Sequence, residues 1–292
     1  MEIVNTNRMK ILKTSSEIYE IISDFKWNGL TIGLVPTMGY FHEGHAALFD
    51  KIQEHADVVV VSVFVNPTQF GPNEDYNNYP RDIEKDIEFA KNYDVDYLFC
   101  PDISEIYPTD FSTSIQIRNI TDKFEGKLRP GHFDGVALIV AKLFNIVKPD
   151  CAIFGQKDYQ QTLVIKQMVK DLNIDIKIVT VPTVRLDNGL ALSSRNIYLT
   201  EEEKDNATIL YKAMETAKEA ILSGERERKN INAIMQKKLL TVQNIKVDYA
   251  NAALADSLSE PDIFQSNDLV VLLLAVHIGK TRLIDNILVY IP

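Results

Sequence analysis

Between Asp57 and Val65 the chain reads Asp-Val-Val-Val-Val-Ser-Val-Phe-Val, a stretch with almost nothing polar to turn toward water. A strand with one wet face alternates apolar and polar side chains. One that is apolar throughout is covered on both faces, as in parallel sheets with helices packed on either side. The surrounding segments agree. Thr31 to Val35 reads as a short buried strand and Gly44 to His55 as a helix, Pro80 to Asn92 has helical spacing, and Val95 to Phe99 is again strand-like. A helix follows from about Val136 to Val147, then a strand near Ala152 to Phe154, a helix from Tyr159 to Lys170 and a strand from Asp175 to Val179. Short β-branched runs separated by helices predict an α/β fold built on a parallel sheet. In such sheets ligands bind beyond the carboxyl ends of the strands.

The pattern changes after Val181-Pro182. Asp187-Asn188-Gly189 suggests a hairpin turn, and Thr200 is placed to cap a helix whose first turn is Glu201-Glu202-Glu203. The charged stretch Gly224 to Lys229 reads as a solvated loop, and the end reads as strands over Lys246 to Ala250, Leu269 to Val276 and Thr281 to Tyr290. A chain of 292 residues is long for one core. The expected division is therefore a first domain over 1–182 and a smaller C-terminal domain over 183–292.

Composition removes several classes of function. A formal charge of -10 argues against a broad nucleic-acid footprint, which needs clustered Lys and Arg. No apolar run approaches the roughly 20 residues of a membrane span. Met1-Glu2-Ile3-Val4-Asn5 lacks the basic-then-apolar layout of a signal peptide. Cys100 and Cys151, with no metal or redox spacing, read as buried reduced thiols. The expectation is a cytoplasmic protein with no membrane and no nucleic-acid partner.

The strongest chemical signal is Pro36-Thr37-Met38-Gly39-Tyr40-Phe41-His42-Glu43-Gly44-His45, which follows a strand and opens a helix. His42 and His45 fall on one side of the first turn. Backbone N–H groups at a helix start attract phosphate, and imidazoles there can donate to phosphoryl oxygens. Two surface histidines at a cap would read the same way, and the spacing is wrong for a metalloprotease helix. Gly279-Lys280-Thr281 resembles the end of a P-loop, but Leu274 stands where that motif needs glycine, so a hairpin turn explains it better. Three further polar clusters stand out. Asn66 and Gln69, in Phe64 to Phe70, close the Val-rich strand with two amides suited to a hydroxy acid, or form an ordinary turn at Asn66-Pro67. Gly155-Gln156-Lys157-Asp158-Tyr159-Gln160-Gln161 joins a strand to a helix, with Lys157 for a phosphate or for solvent, Asp158 for a cap or a ribose hydroxyl, and Gln161 facing the same pocket. Leu190-Ala191-Leu192-Ser193-Ser194-Arg195-Asn196 combines two hydroxyls and a guanidinium, as a phosphate clamp would, or forms an ordinary surface turn.

Five blocks in order carry a resemblance: the His42/His45 block, Phe64 to Phe70, Tyr79-Pro80-Arg81, Leu128-Arg129-Pro130-Gly131-His132-Phe133-Asp134-Gly135-Val136, and Phe154 to Gln161 leading to Ser193-Ser194-Arg195-Asn196. On these the chain resembles the pantothenate synthetase family, nucleotidyltransferases related to class I aminoacyl-tRNA synthetases. The resemblance implies a Rossmann-like parallel sheet flanked by helices with a smaller α+β C-terminal domain, and usually a homodimer. It implies a ligase joining pantoate to β-alanine with ATP and Mg²⁺ through an enzyme-bound pantoyl adenylate. By the same resemblance, Met38 to His45 and Gly155 to Asp158 line the ATP site, with His45 as proton donor, and Val184 and Leu192 to Arg195 complete it from the second domain. Gln69 and Gln161 hold pantoate, with Gln69 also near β-alanine. Lys157, Ser193, Ser194 and Arg195 neutralise phosphate charge, and Arg129 assists at the pocket mouth. Asp86, in the helix after Arg81, is read either as a metal-side carboxylate or as part of a solvated helix face. Phe41, Leu192 and Leu138-Ile139 depart from the family's usual Leu, Met and Thr. Those changes touch pocket shape rather than reaction class. The competing readings are another adenylyl transferase of the same fold, a tRNA synthetase, which the short acidic chain disfavours, and a nucleotide sensor without chemistry.

Overall fold

The computed structural model describes residues 9–72 and 74–292. The N-terminal stretch from Met1 to Asn5 discussed above lies outside them. By its internal packing the chain divides into two compact units. The first runs to Thr121 and adds Glu125–Gly155 and Val164–Val181; the second comprises Asp122–Phe124, Gln156–Leu163 and Pro182–Pro292.

In the first unit the elements are β1 (Lys10–Leu12), α1 (Ser15–Trp27), β2 (Ile32–Thr37), α2 (Glu43–Gln53), β3 (Val58–Val63), α3 (Ile83–Ala90), β4 (Tyr97–Phe99), the short α4 (Ile103–Ile106) and α5 (Phe124–Leu128), α6 (His132–Val147), β5 (Cys151–Gly155), α7 (Tyr159–Asp171) and β6 (Lys177–Val181). Two of these sit astride the division: α5 starts, at Phe124, and α7 starts, over Tyr159 to Leu163, among residues of the second unit. The sheet is six-stranded and parallel, in the order β1-β4-β3-β2-β5-β6.

Both faces of the central strands are dry, as the Val-rich run requires. Ile32, Leu34, Val58, Val60, Tyr97 and Phe99 share one core with Ile18 and Ile22 of α1, the apolar length of α6, and Ile165 and Met168 of α7. Alternate residues Val35, Val59, Val61, Leu98 and Ile153 point the other way, into a core with Phe49 and Ile52 of α2 and Ala90 of α3. Thr14 and Glu17 close α1 with a capping box. Strand order turns at β2, whose neighbours are β3 on one side and β5 on the other. The chain order reverses there, so the carboxyl ends of β2 and β5 flank the switch point at which such sheets take ligands. The two segments leaving those ends are the His42/His45 block and Gln156-Lys157-Asp158.

The second unit holds α8 (Glu201–Ala207), α9 (Ile209–Leu222), α10 (Arg228–Leu239) and an antiparallel sheet of β7 (Lys246–Leu254), β8 (Leu269–Ile278) and β9 (Thr281–Tyr290), in that order. Thr200 and Glu203 form the capping box at α8. Its core joins Met214, Ala217 and Ile221 of α9 and Ile231, Met235 and Leu239 of α10 to alternate residues of β8, among them Val270, Leu272 and Leu274. Gly279-Lys280 is a two-residue hairpin turn between Ile278 and Thr281, not a phosphate loop. The charged stretch read as loop gives way to α10 already at Arg228. Among the described residues no helix is long and apolar enough to cross a membrane. Both cysteines are free thiols, and burial, with Asp86 nearby, pushes Cys100 up to about 12.

Candidate active site

β2 ends at Thr37, whose hydroxyl donates to the Ser62 carbonyl oxygen (2.6 Å) and accepts the Gly39 N–H (3.2 Å). Gly39 (φ 82°) and Tyr40 (φ 57°) then adopt left-handed backbone. A Cβ at Gly39 would fall 2.7 Å from Asp86 Oδ2 and 2.9 Å from Val63 Cγ1, so the turn requires glycine. Asp86, buried on α3, accepts the Tyr40 N–H at Oδ2 (2.8 Å) and the Phe41 N–H at Oδ1 (2.7 Å). Burial raises its pKa against the lowering effect of those two bonds. The residue expected on the metal side thus has both oxygens engaged in holding the backbone that leads into α2. Among the described residues no group of three or more His, Cys, Asp or Glu side chains is disposed to hold a metal ion.

The start of α2 is capped by histidines. His42 Nδ1 accepts the Gly44 N–H (3.0 Å), and the His42 N–H donates to His45 Nδ1 (3.2 Å). A backbone N–H can only donate, so both Nδ1 atoms carry lone pairs and each neutral ring is the Nε2–H tautomer. The rings lie 4.3 Å apart, and His45 also packs on Phe41 at 5.2 Å. Phe41, at the position where Leu is usual, is held by Phe49 and Phe89. Desolvation, then the neighbouring His42, pushes the His45 pKa down to about 3, although the residue as a whole is only half-buried. His45 is therefore neutral at ordinary pH. The Gly44 and His45 N–H groups bond within the cap, so this helix start leaves less of its backbone to an anion than its sequence suggests. Met38 and Glu43 flank this cap, Glu43 exposed.

Beyond β3, Asn66 and Gln69 are both buried, and the structure separates their roles. Asn66 Nδ2 donates to Gln69 Oε1 (3.1 Å) and to the Gly135 carbonyl oxygen (3.0 Å), while Asn66 Oδ1 accepts from Thr68 Oγ1 (3.0 Å) and Tyr107 Oη (2.8 Å). With four partners it serves as a brace for Gln69. Among the described residues Gln69 Nε2 has only the thioether of Met38 (3.2 Å), a weak acceptor. α6 crosses this turn closely: a Cβ on Gly135 would stand 2.6 Å from Gln69 N and closer still to Thr68 O.

Arg129, expected at a pocket mouth, makes a two-point ion pair with Glu74 (Nε–Oε1 2.6 Å, Nη2–Oε2 2.7 Å). Burial alone would raise the Glu74 carboxyl; the hydrogen bond and charge of Arg129 outweigh it and hold its pKa below the usual range. Arg129 Nη1 lies 3.0 Å from His132 Nε2, and His132 Nδ1 lies 2.8 Å from the Gln69 carbonyl oxygen. The carbonyl only accepts, so Nδ1 carries the proton and Nε2 accepts from Arg129. Desolvation, then the Arg129 charge, pushes the His132 pKa down to about 4. Glu74, Arg129 and His132 form one chain of hydrogen bonds ending on Gln69. Glu74 and His132 were not among the residues expected at the site, although His132 lies within the Leu128 to Val136 block.

In the second unit, Gln156, Lys157 and Asp158 form a single 3-10 turn ahead of Tyr159, with Lys157 half-buried, Asp158 exposed and Gln161 half-buried on α7. Asn286 Nδ2 donates to the carbonyl oxygens of Gln156 (3.0 Å) and Lys157 (2.9 Å), and Gln156 Nε2 donates to Asn286 Oδ1 (3.2 Å). The Asp187 to Gly189 hairpin is present as a bridge between Arg185 and Ala191, and Leu192 N–H bonds the Val184 carbonyl oxygen (3.0 Å). Ser193 then caps a 3-10 turn over Ser194–Tyr198, its Oγ accepting the Arg195 N–H (3.3 Å); Ser194 is buried and Arg195 half-buried. The small hydroxyls and the guanidinium are thus gathered on one tight turn.

Residues 10–288 match the family model described as pantoate-beta-alanine ligase. The chain belongs to that family. Its ligase relatives include the pantothenate synthetase of Caldicellulosiruptor bescii, 50% identical over 96% of this chain and 99% of that one. The solved pantothenate synthetase of Thermus thermophilus superposes with a TM-score of 0.90 at 40% identity, covering 97% of this chain and all of that one. A Francisella tularensis pantoate-beta-alanine ligase, solved in complex with beta-gamma ATP and beta-alanine, gives 0.78 at 37% identity over 96% and 98% of the two chains. The fold expected from the sequence, a Rossmann-like parallel sheet flanked by helices with a smaller α+β part toward the C-terminus, is the fold found, and the C-terminal sheet is three-stranded and antiparallel.

Proposed function

We propose that this chain joins pantoate to β-alanine with ATP, through an enzyme-bound pantoyl adenylate. A pantoate carboxylate oxygen attacks the α-phosphorus of ATP, the bond to pyrophosphate breaks, and a mixed anhydride forms. The β-alanine amine then attacks the acyl carbon, the bond to AMP breaks, and the amine sheds a proton as the amide forms. Family membership supports the overall condensation, and the Francisella relative's complex supports ATP and β-alanine as ligands of this kind of site.

The observation that carries the first step is the paired cap, in which His42 and His45 both have Nδ1 tied to backbone N–H groups. Each ring is thereby oriented to offer Nε2–H to phosphoryl oxygens as charge builds on them, and a preorganised donor needs no rearrangement in the transition state. With a pKa near 3, His45 acts in this reading as a neutral hydrogen-bond donor rather than as an imidazolium acid. Lys157, Ser193, Ser194 and Arg195 neutralise phosphate charge, and Gln156, Asp158, Val184 and Leu192 border the nucleotide. Gln69, whose amide donor faces the weakly accepting thioether of Met38, takes pantoate together with Gln161. Mg²⁺ enters as the counter-ion carried by ATP, in keeping with its preference for phosphate and water oxygens. A cytoplasmic homodimer completes the reading.

ATP–pyrophosphate exchange tests it. Exchange should require pantoate and proceed without β-alanine. Exchange that ignores pantoate would overturn the assignment.

A further inference from the structure

The side chain that fixes Lys157 comes from β9, more than a hundred residues away in sequence. Asn286 is 2% exposed. Its amide nitrogen uses both protons on consecutive carbonyl oxygens, those of Gln156 and Lys157, and its amide oxygen receives the Gln156 side chain. Two adjacent carbonyls held by one rigid planar group fix the orientation of the peptide between them, and with it the direction in which the Lys157 Cα–Cβ bond leaves the backbone. A lysine on a free turn spreads its ammonium over many positions. One whose backbone is pinned loses much of that spread, which is the condition for placing a charge on a transferring phosphoryl group.

Asn286 is itself held. Its N–H donates to Asp285 Oδ1 (2.8 Å), and its carbonyl oxygen accepts from Arg185 Nη2 (3.1 Å). Arg185 grips Asp285 at two points (Nη1–Oδ2 2.6 Å, Nη2–Oδ1 2.9 Å), donates to the Gly189 carbonyl oxygen (3.1 Å), and lies over the Tyr211 ring at 4.3 Å. Asp285 is 4% exposed, so this is a desolvated, two-point charge pair of the strong kind. The same arginine stands at the start of the hairpin that leads to Ser193, Ser194 and Arg195. One buried knot therefore joins the backbone of the Lys157 turn to the base of the hydroxyl and guanidinium turn.

We propose that Asn286 is a positioning residue for adenylate formation. It acts through the Gln156-Lys157 peptide to aim the Lys157 ammonium, with Arg185 and Asp285 holding Asn286 in place. The inference rests on the reading that Lys157 meets the phosphates of ATP.

The test is pantoate-dependent ATP–pyrophosphate exchange on the full chain, comparing Asn286→Asp, Asn286→Ser, Lys157→Ala and the double variant Asn286→Asp with Lys157→Ala. Asp has the shape of Asn but faces two carbonyl oxygens with an acceptor; Ser keeps one donor and is the gentler change. Exchange should fall in the order wild type, Ser, Asp, with the Asp variant down by about tenfold or more, as expected when buried carbonyls lose their donor. In the Lys157→Ala background the Asn286 change should cost little further, because groups acting through one another are non-additive. Should Asn286→Asp fail to fold, the Ser variant and its own double with Lys157→Ala give the same comparison. Asn286 variants that exchange within about twofold of wild type, or losses that multiply in the double variant, overturn the proposal. Exchange left unchanged by Lys157→Ala itself would instead overturn the reading of Lys157.

Discussion

His132 donates its Nδ1–H to the backbone carbonyl oxygen of Gln69 across 2.8 Å while its other nitrogen faces the Arg129 guanidinium. The imidazole has no remaining polar atom, so it serves the Gln69 turn from behind. His132→Leu removes that support and leaves both the Gln69 carbonyl and one Arg129 N–H without a partner. The pantoate KM should rise on the order of tenfold, with ATP affinity within about twofold of wild type, given about 1–3 kcal/mol for a lost buried partner. Titrations with each substrate separate the two; an equal loss for ATP would contradict the assignment.

Gly135 sets how closely α6 approaches the same turn. Gly135→Ala pushes a methyl group into Thr68 and Gln69 backbone, which cannot yield as a side-chain tip can. The expected result is a destabilisation of about 1–3 kcal/mol, typical of overpacking. Denaturant unfolding should show it, together with weaker pantoate binding.

The pH dependence of stability follows from His45 and His132, whose folded pKa values are lowered to about 3 and about 4. Between those values and the ordinary histidine value near 6.5, the unfolded chain binds protons that the folded chain refuses. Each histidine therefore favours the fold above about pH 6.5, and that contribution is lost as pH falls, by up to ~1.4 kcal/mol per pH unit. Unfolding free energies of wild type and His132→Leu, measured at pH 7 and pH 5, should fall less steeply in the variant. Adenylation should show no titration near pH 6.5 from His45.

Asp86 accepts two backbone N–H groups, and Asn can accept only one of them without turning a donor on the other. Asp86→Asn should reduce pyrophosphate exchange about tenfold or more by loosening the Tyr40-Phe41 turn that leads to His42. Its Mg²⁺ dependence should remain that of wild type. A shift of the curve to higher Mg²⁺ would show that Asp86 acts on the metal instead.

His45→Ala should lower single-turnover adenylate formation by two orders of magnitude or so while ATP binding changes only a few-fold, the mark of a donor that acts in the transition state. Wild-type adenylation in the variant would remove His45 from the first step.

Local patterns were readable where the residues that make the signal are neighbours in sequence. The Val58–Val63 strand, the His42/His45 helix start, the Thr200 cap and the Gly279-Lys280 turn all carry their reason within a few residues. β1 is three residues long and paired with β4, too short for any period to show. α10 was half-hidden because its charged opening, from Arg228, looks like the loop before it. The site was harder for a different reason. Asn66 and Gln69 look like equivalent amides in sequence, and only the positions of Gly135 and Tyr107 reveal that Asn66 is satisfied and Gln69 nearly not. Asp86, Arg129 and Asn286 likewise take their roles from partners far away along the chain, on which spacing is silent.

The position of β2 at the turning point of the sheet also bears on how the molecule comes to exist. Its first neighbour, β3, follows almost at once, but Gly33 and Leu34 wait for Cys151 and Ala152 to supply the second. Pairings between segments so distant close late, because a long loop must be ordered before they return any stabilisation. During synthesis the strand that leads to the histidine cap is therefore left with an open edge until half the chain has emerged. Over that interval the nascent protein is most exposed to mispairing with a second copy of itself.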